Sequence, residues 1–292
     1  MKVLVTGTSG QLGFDVMEEL ARRGYEGIGA DRSETEADFS HVVLDITDAE
    51  KVKEVVSKER PDVIVHCAAW TNVDGAEEPE NLGKVRAVNV EGTRNLALAA
   101  KEVDAKFVYI STDYVFNGEG KEPWKPDDKN YAPINVYGQS KLDGELEVAK
   151  NLDKYFIVRI AWVFGRNGKN FIKTMIEVGK THDKVRVVDD QIGTPTYTVD
   201  LARLLVDMIE TEKYGYYHAT NEGGYISWAD FTEEIYRQAG MDVKVERVST
   251  EEYGLSKARR PFNSRLDKAK LVEQGFKPLP EWKDALRRFL TE

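Results

Sequence analysis

A single cysteine, Cys67, and four histidines (His41, His66, His182 and His218) are scattered over 292 residues. One thiol cannot close an internal disulfide, so a reducing compartment, the cytoplasm, is expected. Dispersed histidines beside a lone cysteine offer no metal-ligand spacing, and no metal is expected. No apolar run approaches the ~20 residues that span a bilayer. Lys2 leads straight into an apolar run without a secretory leader pattern. Basic excess is missing too: 41 Lys+Arg against 51 Asp+Glu leave a net charge of −10. That balance argues against a broad nucleic-acid surface, which needs a basic stripe, although a few local arginines can still bind a diphosphate. Internal repeats, low-complexity tracts and a G-x-S-x-G nucleophile elbow are absent as well. What remains, at 41% hydrophobic and 32% charged residues, is a globular chain of one or two domains with room for a large core.

What is present begins at the first residues. An apolar run ends in GTSGQLG (7–13), with glycines at positions 7, 10 and 13. Residues 14–23 follow with apolar positions at helical spacing, and Gly24 stops them. Strand, glycine turn and helix in this order let a dinucleotide pyrophosphate rest on backbone N–H groups at a helix N-terminus. Glycine removes a Cβ that would hold the phosphate or the helix at a distance. The spacing is G-x-x-G-x-x-G, not the G-x-G-x-x-G of the standard fingerprint. With 23 glycines such a pattern arises by chance, so its place after an N-terminal strand carries the nucleotide reading.

Strand and helix signals alternate through the first half. Residues 28–31 read as the end of a second strand and 42–45 as a third, and Asp48 caps a helix through Ser57. Residues 61–66 form an apolar strand of the kind buried on both faces. A long helix is expected over 80–103, a strand over 106–110 and a polar loop over 117–133. A helix over 135–151 and a strand over 156–160 complete the series. Repeated βα units predict an α/β fold, a Rossmann-like doubly wound parallel sheet. The second half is less regular, with a strand at 185–188 and helices at 200–210, 227–239 and 281–290. The expected division is a dinucleotide-binding domain over 1–165 and a smaller α+β lobe, mainly substrate-binding, over 166–292. Some elements of that lobe are allowed to return to the main sheet.

Three features converge at strand carboxyl ends, where open α/β sheets bind ligands. They are the glycine turn, Ser111-Thr112-Asp113 after the fifth strand, and Tyr137-Gly-Gln-Ser-Lys141 on the following helix. Tyr137 and Lys141 are four apart, so both side chains leave one helix face. An ammonium beside a phenol is expected to lower its pKa from about 10 toward neutrality. Such a tyrosine exchanges a proton with a carbonyl or alcohol oxygen, which a hydroxyl from Thr112 or Ser111 is placed to hold. Among 13 tyrosines about one Y-x-x-x-K is expected by chance, and a second copy does occur at Tyr253 and Lys257. That copy has no strand-end Ser/Thr some 25 residues before it, so the ordered set, not the spacing, carries the signal.

The chain resembles the extended short-chain dehydrogenase/reductases, and among them the dTDP-4-dehydrorhamnose reductases. The matching strings are GTSGQLG (7–13), AAWTNVD (68–74), STDYVF (111–116), NVYGQSK (135–141), RIAWVF (159–164), DQIGTP (190–195) and ARRPFNSRL (258–266). The resemblance implies reduction of a C4 keto group on a dTDP-sugar, with Tyr137 as proton donor and Lys141 as its tuner and ribose ligand. It implies that Thr112 binds the keto oxygen, with Asp113 and Trp162 near the sugar. Gly10, Gln11 and Leu12, between Gly7 and Gly13, would line the pyrophosphate. Asp31 would meet the adenosine ribose, Asp45 and Ile46 the adenine, and Ala68, Ala69 and Trp70 the nicotinamide side. Asn89 matches a helix asparagine that in this superfamily bridges strands and a relay water, or else is a buried amide satisfying backbone groups. Arg259 and Arg260 are candidates for the diphosphate through forked hydrogen bonds, or are solvated surface charges. Some of these reductases hold Mg²⁺ through glutamates at a dimer contact; Asp15 departs from that pattern.

Cofactor choice rests on two neighbours. Asp31 accepts from a ribose 2′-OH and repels a 2′-phosphate, which favours NADH. Arg32 can pair with that phosphate, which favours NADPH, or is a solvated loop charge. Both cofactors stay open, with NADPH preferred for reductive biosynthesis. His66 reads as a structural residue, Trp124 as loop packing, and Asp189-Asp190 as a turn. A dehydratase or epimerase shares the fold and triad, but the dehydratases carry Asp-Glu after the threonine, and Tyr114 follows Asp113 here. A non-catalytic rival is the regulatory subunit of methionine adenosyltransferase, a relative of the same reductases. The partners expected are a dTDP-sugar and at most a second copy in a homodimer.

Overall fold

Short apolar runs become the strands of one parallel sheet in the computed structural model, which describes residues 1–34 and 39–291. In chain order the strands are β1 (Lys2–Thr6), β2 (Glu26–Asp31), β3 (His41–Val43), β4 (Val63–His66), β5 (Lys106–Thr112), β6 (Tyr155–Ile160) and β7 (Gly215–His218). They lie in the order β7-β6-β5-β4-β1-β2-β3, every pairing parallel. The order reverses between β1 and β4, and the crevice at their carboxyl ends is where such sheets take ligands.

The strands are apolar on both faces because both faces are covered. Val3, Val5, Val63, Val65, Val108, Phe156 and Val158 face α1 (Gln11–Arg22) through Leu12, Val16 and Leu20. The intervening residues Leu4, Ile64, Phe107, Tyr109 and Ile157 face the other way. There they meet α2 (Ala49–Glu59) through Val52, Val55 and Val56, and α3 (Thr93–Glu102) through Leu96, Ala97 and Ala100. Val148 joins them from α4 (Val136–Asn151). The doubly wound architecture expected from the βα alternation is present.

Two expectations need correction. The helix expected over 80–103 is not continuous. A 3-10 turn, Pro79–Asn81, leads to a short helix, Leu82–Arg86, then to a π-helical stretch, Ala87–Gly92, before α3. Apolar spacing cannot register such a widened turn, which places Asn89 on the site side. The seventh strand, β7, has no counterpart in the sequence reading. Gly215-Tyr-Tyr-His218 is only four residues long and shows no alternation, yet it pairs with β6 from Gly215↔Phe156 to His218↔Arg159. Before it, α6 (Thr198–Ile209) lies on the sheet against α1, with Leu201, Leu204, Leu205 and Met208 in the same core.

The remaining second half packs on itself. Lys184–Val188 pairs in parallel with Lys244–Val248. Around them lie α5 (Phe171–Gly179), α7 (Trp228–Ala239) and α8 (Trp282–Thr291). Phe164, Ile172, Tyr197, Phe231 and Trp282 form their core. Ser227 starts α7 in a capping box with Asp230. Among the described residues no helix is long and apolar enough to cross a membrane.

Candidate active site

The turn after β1 is shaped by what its glycines lack. Gly7 has φ +75°, and a Cβ there would stand 2.6 Å from the Ala68 nitrogen. A Cβ on Gly13 would fall 2.3 Å from the Gly7 carbonyl oxygen, so only glycine lets α1 sit on the turn. Gly10 caps α1 without a side-chain hydrogen bond, and the first helical turn holds no acidic residue. The N–H groups of Gln11, Leu12 and Gly13 therefore open an anion-receptive helix end. Residues 165–170 lie beside this turn: Asn167 Nδ2 donates to Ser9 O (2.9 Å) and Asn170 Nδ2 to Gln11 Oε1 (3.0 Å).

One sheet edge further on, β4 and β5 end beside α4. Asn135 starts α4 by accepting from Gly138 N at 2.7 Å, which presents Tyr137 and Lys141 on the face toward β5. Thr112, Asp113 and Lys141 are all buried. Thr112 Oγ1 donates to Asp113 Oδ1 (3.0 Å), and the Thr112 hydroxyl also faces the Tyr137 phenol. The Tyr137 ring meets Tyr114 edge-on at 5.6 Å. The buried Ser111 Oγ has no hydrogen-bond partner among the described residues, as suits a group awaiting a ligand or water.

The electrostatics overturn one expectation. The phenol of Tyr137 is pushed up from its ordinary value, first by burial and then by Asp113, while Thr112 pulls it back. Lys141 gives up its own charge more easily, since burial draws it down to about 7 against the pull of Glu145 and Cys67. Its Nζ lies over the Tyr109 ring, 4.0 Å from the centroid. Desolvation leads the balance at both groups, so the phenol is held protonated. Burial also lifts Asp113 to about 6 against the Ser264 and Thr112 hydroxyls.

Comparison with known proteins gives the family. Residues 1–292 match the family described as the RmlD substrate binding domain. The chain belongs to that family. A dTDP-4-dehydrorhamnose reductase of Streptomyces griseus is 41% identical over 97% of this chain and 91% of its own length. The spore coat polysaccharide biosynthesis protein SpsK of Bacillus subtilis is 38% identical over 100% of this chain and 97% of its own. A solved dTDP-4-dehydrorhamnose reductase from Bacillus anthracis, in complex with NADP, superposes with a TM-score of 0.92 at 43% identity. That match covers 100% of this chain and 99% of the other.

The other predicted residues of this RmlD-family chain lie at strand ends, in loops and in the second half of the chain. Asp31 ends β2 and accepts from Ser9 N (3.0 Å) and Ser9 Oγ (2.5 Å), while Arg32 is exposed beside it. Asp45 is exposed and accepts from Thr47; Ile46 is buried against Gly92. Ala68, Ala69 and Trp70 are half-buried past the end of β4. Asn89 is a buried amide that spans Trp70 N (2.7 Å), Trp70 O (3.1 Å) and Ser140 Oγ (2.9 Å), bonds compatible with either of its two readings. Trp162 has φ +51°, rare for a non-glycine, and stacks on Trp228 at 3.8 Å. Arg260 is tied to Asp74 at 2.8 Å with its other terminal nitrogen buried and unpartnered among the described residues; Arg259 is exposed. The second Y-x-x-x-K does not share one helix, since Gly254 ends the short helix Thr250–Tyr253 before Lys257. Asp15 is buried and accepts from Thr198 inside the subunit.

Several site residues escaped the sequence reading. Ser140 and Asn135 had a signal, the former in the Y-x-x-S-K string and the latter as a residue type that starts helices. Ser264 stood in the matching string 258–266, whereas Trp228 and residues 165–170 had no signal, because their contacts join distant parts of the chain. His66 is the hub of another such link. Thr93 Oγ1 donates to Asn89 O, so it accepts from His66 Nε2 (3.1 Å), which leaves Nδ1 to accept from Thr6 (2.8 Å). Burial and Lys141 hold this imidazole neutral, down to about 3.

Proposed function

We propose that the chain reduces the C4 keto group of dTDP-4-dehydro-6-deoxy-L-mannose to dTDP-L-rhamnose, with NADPH or NADH as reductant, in the cytoplasm. The observation that carries this reading is the meeting of buried Thr112 and Lys141 with half-buried Tyr137 beside a glycine turn whose helix end is uncapped. The turn fits a dinucleotide pyrophosphate, because the first N–H groups of α1 are not used by a cap. Residues 1–165 are assigned mainly to the dinucleotide and 166–292 mainly to the sugar nucleotide. The presence of β7 and α6 on the main sheet makes that division functional more than architectural. The relatives' names and the NADP complex support the same assignment.

When bound, the nicotinamide supplies the hydride that reaches C4. The chain does the rest. Thr112 holds the keto oxygen, and Tyr137, kept protonated by burial, gives its proton to the oxygen as it becomes an alkoxide. Lys141 then faces a phenolate whose charge it balances. Asp113 and Trp162 flank the sugar, and Arg259 and Arg260 are assigned to the diphosphate, Arg260 exchanging Asp74 for it. Ser9 already occupies the Asp31 carboxylate, which lowers its repulsion of a 2′-phosphate and favours NADPH beside Arg32.

The test follows oxidation of NADPH and of NADH with enzymatically generated dTDP-4-keto sugars. Tyr137→Phe is expected to cut turnover by orders of magnitude, about 10²-fold or more, and to leave cofactor affinity nearly intact. Near-normal turnover in that variant removes Tyr137 from the mechanism. If the unaltered protein turns over no such sugar and co-purifies with methionine adenosyltransferase, the regulatory reading replaces this one.

A further inference from the structure

We infer that Tyr109 is the positioning residue that seats the Lys141 ammonium, its ring face beneath the charge and its hydroxyl on the lysine's own backbone. This deepens, and rests on, the reductase reading of Tyr137 and Lys141. Tyr109 lies on β5 two residues before Ser111 and is fully buried. Lys141 Nζ stands 4.0 Å from the ring centroid, within the range of a strong cation–π contact. The hydroxyl donates to Lys141 O at 3.3 Å, so one side chain fixes both ends of the lysine. Gly144 makes room for this: a Cβ there would lie 2.2 Å from the Tyr109 oxygen. The phenol itself stays protonated, since burial carries it well above its ordinary value, and it does not compete in the proton transfer.

The groups facing Lys141 are few. Glu145 and Tyr137 lie on its own helix, His66 and Cys67 come from the end of β4, and Tyr109 from β5. His66 is neutral, and burial raises the Cys67 thiol to about 12, so neither carries charge at neutral pH. Glu145 is shared with Arg159 at 2.7 Å. The ring face of Tyr109, 4.0 Å from the ammonium, is therefore an uncommitted source of negative potential, and in a desolvated site such a face holds a cation firmly.

The decisive measurement is the titration of Lys141, followed by the ¹³Cε shift in lysine-labelled protein and assigned by its loss in Lys141→Met. Tyr109→Leu is expected to lower the Lys141 pKa by about one unit. The alkaline limb of the turnover profile should fall by the same amount. Tyr109→Phe, which keeps the ring, should restore the titration near its original value. Should the leucine variant not fold, pentafluorophenylalanine at position 109 keeps the shape while inverting the ring's potential, and the same fall is expected. An unchanged or raised Lys141 pKa without the ring, or a phenylalanine variant that titrates like the leucine one, overturns the inference. Failure of the unaltered protein to reduce any dTDP-4-keto sugar would sink the reductase reading but leave the titration result standing.

Discussion

Burial makes the Lys141 ammonium costly to hold. Its folded value of about 7 lies below its ordinary 10.5, so between those pH values the unfolded chain binds the extra proton. Stability must then rise with pH across that window, and the full cost of burying the ammonium is felt below pH 7. Replacing the lysine by an apolar side chain of similar length removes the cost. Lys141→Met is expected to stabilise the cofactor-free protein at pH 6 by a few kcal/mol, on the order of 2–4. At pH 10.5 the gain should have vanished, while turnover is lost at every pH. Urea denaturation at both pH values measures it; an equal gain at both would mean that packing, not charge, is responsible. A stabilising Lys141→Met is what the proposed role of the lysine requires, chemistry being kept there against stability.

At the scale of elements, the glycine turn separates two jobs that one motif seemed to share. Gly13 is needed for packing, since its Cβ would meet the Gly7 carbonyl at 2.3 Å, backbone against backbone. Gly10 has φ −82° and ψ 175°, which alanine adopts freely, and its Cβ would be 3.1 Å from the same oxygen. Gly13→Ala should therefore cost roughly 1–3 kcal/mol of stability as well as dinucleotide affinity. Gly10→Ala should cost under about 1 kcal/mol yet weaken NADPH binding on the order of tenfold, because the methyl stands at the uncapped helix end. Thermal denaturation with calorimetric titration separates the two; equal stability losses would refute the division of labour. Elements of this kind were legible because their signal is local: apolar runs bounded by glycine, and Asp48, Asn135 and Ser227 as helix starts. The π-helical stretch Ala87–Gly92 was not, since a widened turn leaves the apolar spacing almost unchanged. The upward shift of Tyr137 was hidden for a different reason. Spacing places a lysine beside a phenol, but only burial decides which of the two yields its charge.

For the whole molecule, the decisive contact is one that no string of residues announces. Arg159 near the carboxyl end of β6 and Glu145 on α4 are both fully buried and joined by two hydrogen bonds, at 2.8 and 2.7 Å. The same guanidinium donates to Pro126 O and Tyr131 OH in the loop after β5, and lies 3.5 Å from His218 Nε2 on β7. It thereby joins α4, the loop that leads into it and the late strand β7, which has no signal in the sequence. Arg159 stood in a matching string, yet its partner 14 residues away and its neighbours on β7 could be known only from the fold. A buried pair gains little over an apolar replacement, but breaking one half strands a charge. Arg159→Met is expected to cost about 3–5 kcal/mol, leaving Glu145 uncompensated, and to slow turnover by loosening α4 beneath Tyr137 and Lys141. The double variant Arg159→Met/Glu145→Met should be more stable than Arg159→Met alone, because the carboxylate is no longer buried without its guanidinium. Turnover should nevertheless stay low in the double variant, since the loop has lost the donor that held Pro126 and Tyr131. A double-mutant cycle in denaturant checks this, with steady-state rates on the same four proteins. Additive losses would mean that the pair is two independent residues, and recovery of full turnover in the double variant would mean that the loop does not depend on Arg159.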